Sequence, residues 1–500
     1  MNKHKGTAFI QDIKIEDLRQ RSLQSGTITF SNQVLRFLLQ TGSTMIMARL
    51  LTPWDFGLVA MVSSLLGFVT MFSDFGLSIA TIQKQSISHE ELSGLFWVNL
   101  LSGLIIMAAF SICAPFVAKF YNEPRTQNIT LAFGGMAILS SMGAQHSALL
   151  QRQMRFGAIA VCDLSALLVG IIFGVIAALS GLQFWALVIM QAANTASSTI
   201  LLWLMSDWRP GPPRRTAGFN RLLRFGGSLT LSNFLGYANH NLDKILLGKF
   251  FGETAVGFYS KAQGILNRPL LQLLPPIMRV ATPMFSRLVD EQNKFRKASI
   301  QLAEIASFGG SLLLMGLFPT ADWIVYLILG NQWAETVPVF RLMAIFGLLE
   351  PLAWLLGTIL VAFGKPEAMA KWRAVTMVVV LISFIAGLPW GIIGIAIGYT
   401  LSGIATRIWL IFFVGKRIGI SGLQFISACA PFVLVALGIS ILMMFFRSVW
   451  EPQSALIGFI SFFCFGSTLY IAMLACIPNG RKFLKNLYEM GRDVLKGIKG

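Results

Sequence analysis

The sequence predicts an all-α polytopic membrane protein with about 14 transmembrane helices, arranged as two pseudo-symmetric six-helix bundles plus two C-terminal helices. Three observations carry this expectation. Hydrophobic residues make up 55% of the 500 positions and charged residues 12%, about half the charged share of a soluble domain. Apolar stretches of about 20 residues, enough to cross a bilayer core, recur from Thr27 to Cys476. A segment near the start of the chain also recurs 200 positions later.

The apolar stretches read as helices because lipid leaves no unpaired backbone group a partner. Barrel strands would alternate in polarity over about ten residues, whereas Val375–Gly387 and Leu434–Phe446 are apolar on nearly every face. In the first bundle, 27–205, the spans fall near 27–48, 56–78, 93–115, 127–148, 158–180 and 184–205. A basic linker, 206–224, leads to the second bundle, 225–413, with spans near 225–247, 256–278, 299–319, 337–362, 372–388 and 391–413. Two additional helices, 425–446 and 453–476, complete the set. Residues 1–26 form a polar N-terminal tail without the apolar run and cleavage site of a signal peptide, and 477–500 a basic C-terminal tail.

The net charge of +18 is a matter of topology. Basic residues crowd the tails and alternate loops: Arg152 and Arg155, then Arg209 to Arg224, Arg279 to Lys297, Lys365 to Arg373, and Lys416 with Arg417. The opposite loops hold only Arg49, Lys119, Arg125, Lys249 and Arg447. The positive-inside rule then sets both termini in the cytoplasm. Trp54, Trp185, Trp323, Trp333, Trp390 and Trp450 mark the outer ends, as an aromatic belt would. The expected electrostatic partners are anionic membrane lipids, with no nucleic acid.

The repeat aligns Ala48–Leu58 with Gly248–Phe258, pairing Arg49 with Lys249 and Gly57 with Gly257. Pro115–Tyr121 resembles Trp323–Leu329 at a similar offset. Both copies begin in the same orientation, which predicts a parallel repeat with a substrate site between the halves. Gly387, Gly391, Gly394 and Gly398 step by three and four residues, a pattern that suits internal helix packing and a dimer face equally well.

Enzyme signatures are absent. Gly364-Lys365-Pro366 and Gly415-Lys416-Arg417 lack the rest of a phosphate-binding loop. The histidines at 4, 89, 146 and 240 are scattered, and the cysteines at 113, 162, 429, 464 and 476 all lie in apolar spans. No metal set or disulfide framework follows. A membrane polymerase or ligase would need a large acidic outer loop that this chain has no room for. A passive scaffold would tolerate any substitution of the buried charges.

Those charges are the candidate site, because an ionised side chain within a span costs at least ~2.5–3.5 kcal/mol. Arg36, Lys261, Arg268 and Arg341 are the candidate substrate-binding cations, with Lys244 and Arg407 nearer the span ends. Asp74, Asp163, Asp243 and Glu350 are the acids expected to serve ion coupling or helix pairing, with Glu304 beside them. The cation surplus points to an anionic cargo, and the planar fork of arginine matches phosphate oxygens. A pyrophosphate-linked lipid fits best. The amides Asn32, Gln33, Gln40, Asn99, Gln191, Asn194, Asn233, Asn239 and Asn241 suit sugar hydroxyls and helix–helix hydrogen bonds alike.

These residues carry a family resemblance. Met47–Leu58 resembles the signature joining the first two helices of Wzx-type polysaccharide-unit flippases, followed by Asp74–Leu77 and Ile82–Lys84. Asn239–Asp243, Leu247–Lys249 and Gly257–Tyr259 resemble the start of that family's second half, and Pro283–Arg287 the segment after its eighth helix. The resemblance spans about residues 25 to 450 and is nearest the colanic-acid and exopolysaccharide exporters of the multidrug/oligosaccharidyl-lipid/polysaccharide superfamily. It implies alternating access without ATP, driven by a proton or sodium gradient or by the membrane potential, and no cofactor. The implied cargo is an undecaprenyl-diphosphate-linked oligosaccharide repeat unit, moved from the cytoplasmic to the periplasmic leaflet of the bacterial inner membrane for exopolysaccharide or lipopolysaccharide synthesis. Polymerase and chain-length components of that pathway are the implied protein partners. Arg36 matches the basic residue that related lipid flippases keep on the first helix. A multidrug efflux antiporter of the same superfamily is the alternative.

Overall fold

The computed structural model describes residues 15–70, 77–83, 87–212, 219–288, 291–364, 366–450, 452 and 454–499. The described residues form helices and turns without a strand. Two compact units divide the chain, Met1–Gly257 and Phe258–Gly500.

The first unit opens with Ile15–Leu50 (α1), Pro53–Thr70 (α2) and Leu77–Gln83 (α3). Helix α1 begins well before the apolar stretch at Thr27, so part of the polar tail is the first turns of the span helix itself. His89–Tyr121 (α4) starts at a capping box in which Ser88 accepts from the Glu91 amide and Glu91 receives the Ser88 amide. It ends at Asn122, whose left-handed backbone (φ 59, ψ 31) turns the chain into Arg125–Arg152 (α5). Phe156–Leu179 (α6) and Trp185–Met205 (α7) form the next antiparallel pair, turning through Gly181 at φ 77. Gly170 and Gly174 let α6 approach Met190 and Asn194 of α7 closely enough that a methyl group would collide. The inward face holds Leu58, Val62, Phe110, Ile129 and Phe184. The opposite face leaves Ile112, Leu179 and Leu204 about 70% exposed, apolar surface whose solvent is lipid.

The segment Phe219–Leu288 (α8) is helical except at Gly252 (φ 77, ψ −176), where only glycine is unstrained. The expected loop between spans 225–247 and 256–278 is therefore one broken residue inside a helical run. Its first part belongs to the first unit and bears on the repeat. A side chain on Gly57 would strike the carbonyl of Glu253, and one on Gly257 the carbonyl of Pro53. Position 53 lies opposite 257 as 253 lies opposite 57, so the contact is reciprocal about a local twofold. Trp54 Nε1 donates to Glu253 Oε1 across it, and the Tyr237 hydroxyl donates to Ser63 O at 2.9 Å.

The second unit contains the rest of α8, Gln292–Leu317 (α9), Ala321–Ile328 (α10), Thr336–Gly347 (α11), Glu350–Ala362 (α12), Pro366–Gly387 (α13), Gly391–Ile418 (α14), Gly422–Arg447 (α15), Ala455–Cys476 (α16) and Pro478–Lys499 (α17). The stretch read as one span, 337–362, is two helices bent by 41°. Pro351 explains the bend, because it has no N–H to give the Gly347 carbonyl and its ring crowds that turn. Helices α13 and α14 fold back on one another through Gly391 (φ 64). A side chain on Gly387 or Gly394 would strike the other residue's backbone, and one on Gly398 the Ser383 carbonyl, so these glycines serve internal packing. The C-terminal tail is helical from Pro478 and buries Phe483 against Phe432 and Tyr470.

Among the described residues seven helices are long and apolar enough to span a membrane, or eight with the bent pair counted as one span. One of the seven runs, Glu367–Ile418, contains the α13–α14 turn. Helices α1 and α8 fall outside this set. They carry Asn32, Gln33 and Gln40, and Asn233, Asn239 and Asn241, along with most of the candidate cations. The chain is a multi-pass membrane protein.

Candidate functional site

The charged residues inside the helices are the candidate site residues, and the two units handle them differently. In the first unit Arg36, on α1, lies 3.7 Å from Asp163 Oδ2 on α6. Both side chains are more than a third exposed (48% and 36%), so this pair keeps access to whatever occupies the space beside it. One candidate cation and one candidate acid thus stand together, each with unfilled hydrogen-bonding capacity. Asp243, on α8, is fully buried and accepts from the Lys244 amide at 2.8 Å. Lys244 Nζ donates to Asn241 Oδ1 at 3.1 Å. Asp74 lies outside the described residues.

In the second unit Lys261 and Arg268 sit on α8, half-buried. Seven residues apart, they fall on one face two turns apart. Arg341, on α11, is 3.6 Å from Asp322 Oδ1 at the start of α10. The same carboxylate accepts both terminal nitrogens of Arg447 from α15. Arg447 also donates to Pro319 O at 2.6 Å and lies 4.3 Å above the Trp323 ring. Two arginines on one carboxylate leave this cluster with a net positive charge. Glu350 accepts from Arg407 Nη2 at 2.5 Å, with 8% and 16% of the two side chains exposed. Arg407 stacks 4.5 Å over Phe346. This pair joins α12 to α14 just below the α11–α12 bend, where Glu350 opens a helix and its charge suits the N-terminus.

The sequence reading had no means of finding Asp322 as the partner of Arg341 and Arg447, since the three lie on separate elements with no periodic spacing. The Trp54–Glu253 bond was also missed, although the repeat alignment put both residues in the matching segments. Among the described residues no group of histidine, cysteine, aspartate or glutamate could hold a metal.

The fold defines the class first. The chain superposes on the solved structure titled lipid II flippase MurJ, inward closed conformation, with a TM-score of 0.73 at 11% identity, covering 91% of this chain and 98% of that one. It therefore has the multi-helix transporter fold of that protein. The family model described as polysaccharide biosynthesis protein matches residues 46–338, and the chain belongs to that family. It is 28% identical over 398 residues to the lipopolysaccharide biosynthesis protein WzxC of Escherichia coli K12, covering 78% of this chain and 80% of the relative. It is 24% identical over 462 residues to the succinoglycan biosynthesis transport protein ExoT of Rhizobium meliloti 1021, covering 89% and 91%.

Proposed function

We propose that the protein is a flippase moving undecaprenyl-diphosphate-linked oligosaccharide repeat units from the cytoplasmic to the periplasmic leaflet, by alternating access and without ATP. The family match and the two relatives support this reading. The observation that carries it is the placement of the cations: Arg36 is half exposed with one carboxylate beside it, and Lys261 and Arg268 share a face of α8. A diphosphate headgroup beside Arg36 would accept charge-assisted hydrogen bonds from its guanidinium, offsetting the cost of holding that charge in lipid. The Arg36–Asp163 pair suggests the coupling step. A proton or sodium ion on Asp163 releases Arg36 to the diphosphate, and its departure restores the pair.

The basic tails and alternate loops support a bacterial cytoplasmic-membrane location with both termini inside. The polymerase and chain-length components of a polysaccharide pathway would take the product at the outer face. The test is translocation of a labelled polyprenyl-diphosphate oligosaccharide in proteoliposomes, with and without an imposed proton or sodium gradient. Transport by wild type that is abolished in an Arg36→Ala, Arg268→Ala variant of unchanged fold is the expected result. Gradient-driven export of a cationic dye, with no movement of the lipid, would establish a multidrug antiporter instead.

A further inference from the structure

Three turns of the first unit, α1–α2, α4–α5 and α6–α7, meet at one end around a cavity of about 410 Å³, within the size range of small-molecule sites. Its walls are of two kinds. Leu51, Ala178 and the Trp54 ring are apolar, whereas Asp55, Arg125 and Gln183 bring a carboxylate, a guanidinium and an amide. Of these, Arg125 and Gln183 are exposed planar groups able to make paired hydrogen bonds to neighbouring hydroxyls. Asp55 is 3% exposed. Its Oδ2 accepts from the Thr52 amide at 2.9 Å and the Thr52 hydroxyl at 2.7 Å, which caps α2. Its Oδ1 is buried, so Asp55 shapes the pocket from behind the α2 cap. Arg125 lies 4.8 Å over the Trp54 ring. Gln183 is held by a left-handed backbone at φ 48, where a non-glycine residue is uncommon. Phe184 braces Trp54 edge-on at 6.0 Å.

We propose that this pocket binds a pyranose ring of the cargo's saccharide at the outer face, with Trp54 as apolar wall and Arg125 and Gln183 hydrogen-bonding to ring hydroxyls. The assignment rests on the flippase reading for its orientation and for the source of the sugar. An aromatic wall with planar hydrogen-bonding groups around it matches a ring that has an apolar C–H face and a polar rim. A diphosphate is the poorer fit, because the negative charge of Asp55 in the wall offsets the attraction of Arg125. Glu253 fixes the indole through Trp54 Nε1, so the subsite is complete only while the reciprocal glycine contact is made. It would therefore hold a sugar that has arrived and release it when that contact opens.

The test is saturation-transfer NMR on the full-length protein in lipid nanodiscs. The probes are free glucose, galactose, mannose, fucose, N-acetylglucosamine and glucuronate. At least one should receive magnetisation from wild type and from Trp54→Phe, which keeps an aromatic wall. Gln183→Ala and Arg125→Ala should each weaken that sugar about tenfold, the loss of one hydrogen bond to a fixed partner. Trp54→Ala should abolish it. Transfer to none of the six sugars, or transfer undiminished in Gln183→Ala and Trp54→Ala together, overturns the assignment. The two readings fail separately. Sugar binding without lipid transport in proteoliposomes would sink the flippase and leave the sugar site, and lipid transport without sugar binding would do the reverse.

Discussion

Glu350→Gln should destabilise the second unit by about 3–5 kcal/mol, the usual cost of removing one partner from a buried ion pair. The structure sets this magnitude. The pair is 2.5 Å apart with little of either side chain exposed, and two unit charges about 4 Å apart attract by about 4 kcal/mol at an effective dielectric constant near 20. Glutamine keeps one acceptor for Arg407 and loses that attraction. Arg407 also stacks on Phe346, so its uncompensated charge stays in place and desolvated. Paired replacement by Met at 350 and 407 should recover most of the loss, since an apolar pair of similar volume bears no desolvation cost. The assay is reversible unfolding in mixed micelles, read as a double-mutant cycle. The reasoning is refuted if Glu350→Gln lies within about 1 kcal/mol of wild type, or if the paired replacement is as unstable as the single. Proteoliposome transport adds a second readout. A Glu350→Gln protein that stays folded and loses its gradient dependence would assign this residue to coupling, whereas parallel loss of fold and transport would assign it to helix pairing.

Asp163→Asn should hold Arg36 permanently available, so transport in proteoliposomes should lose its response to the imposed gradient while binding of the diphosphate lipid tightens; a retained response would move coupling elsewhere. Arg447→Ala should destabilise the second unit more than Arg341→Ala, because Arg447 engages both carboxylate oxygens of Asp322 and a carbonyl, whereas Arg341 approaches one oxygen at 3.6 Å; thermal melting in detergent ranks the two. Gly57→Val and Gly257→Val should act alike, each forcing backbone apart at the reciprocal contact. A cysteine placed at Thr52, in a background without the five native cysteines, should react faster with an impermeant maleimide in both, and acceleration in only one would deny the symmetry.

Much of the helical architecture was legible because lipid imposes one rule on every span. Helices α6, α7, α15 and α16 begin and end within a few residues of the apolar runs that announced them. Misreadings arose where a helix outlasts its apolar stretch or breaks within it. Helix α1 continues back into polar residues because backbone hydrogen bonding is indifferent to side-chain polarity, and Pro351 divides a stretch that reads as one span. The repeat was legible at Gly57 and Gly257 because a close backbone approach tolerates no other residue. The partners of the charges were harder. Arg36 and Asp163 were both singled out, yet only the α1–α6 packing puts them together. Asp322 falls between the predicted spans 299–319 and 337–362, outside the in-span charges that the sequence singles out.

The reciprocal glycine contact also bears on how such a chain could arise. Each copy offers a glycine to the other's carbonyl at the equivalent position, which is what two identical subunits do about a twofold axis. A half-length ancestor pairing through this surface would carry any new side chain there twice, with the collision doubled. Fusion into one chain would let the copies diverge, and at the 200-residue offset the flanking residues differ: Pro53 corresponds to Glu253, and Trp54 to Thr254. The cavity beside Trp54 could be acquired by one copy alone only after that symmetry was broken.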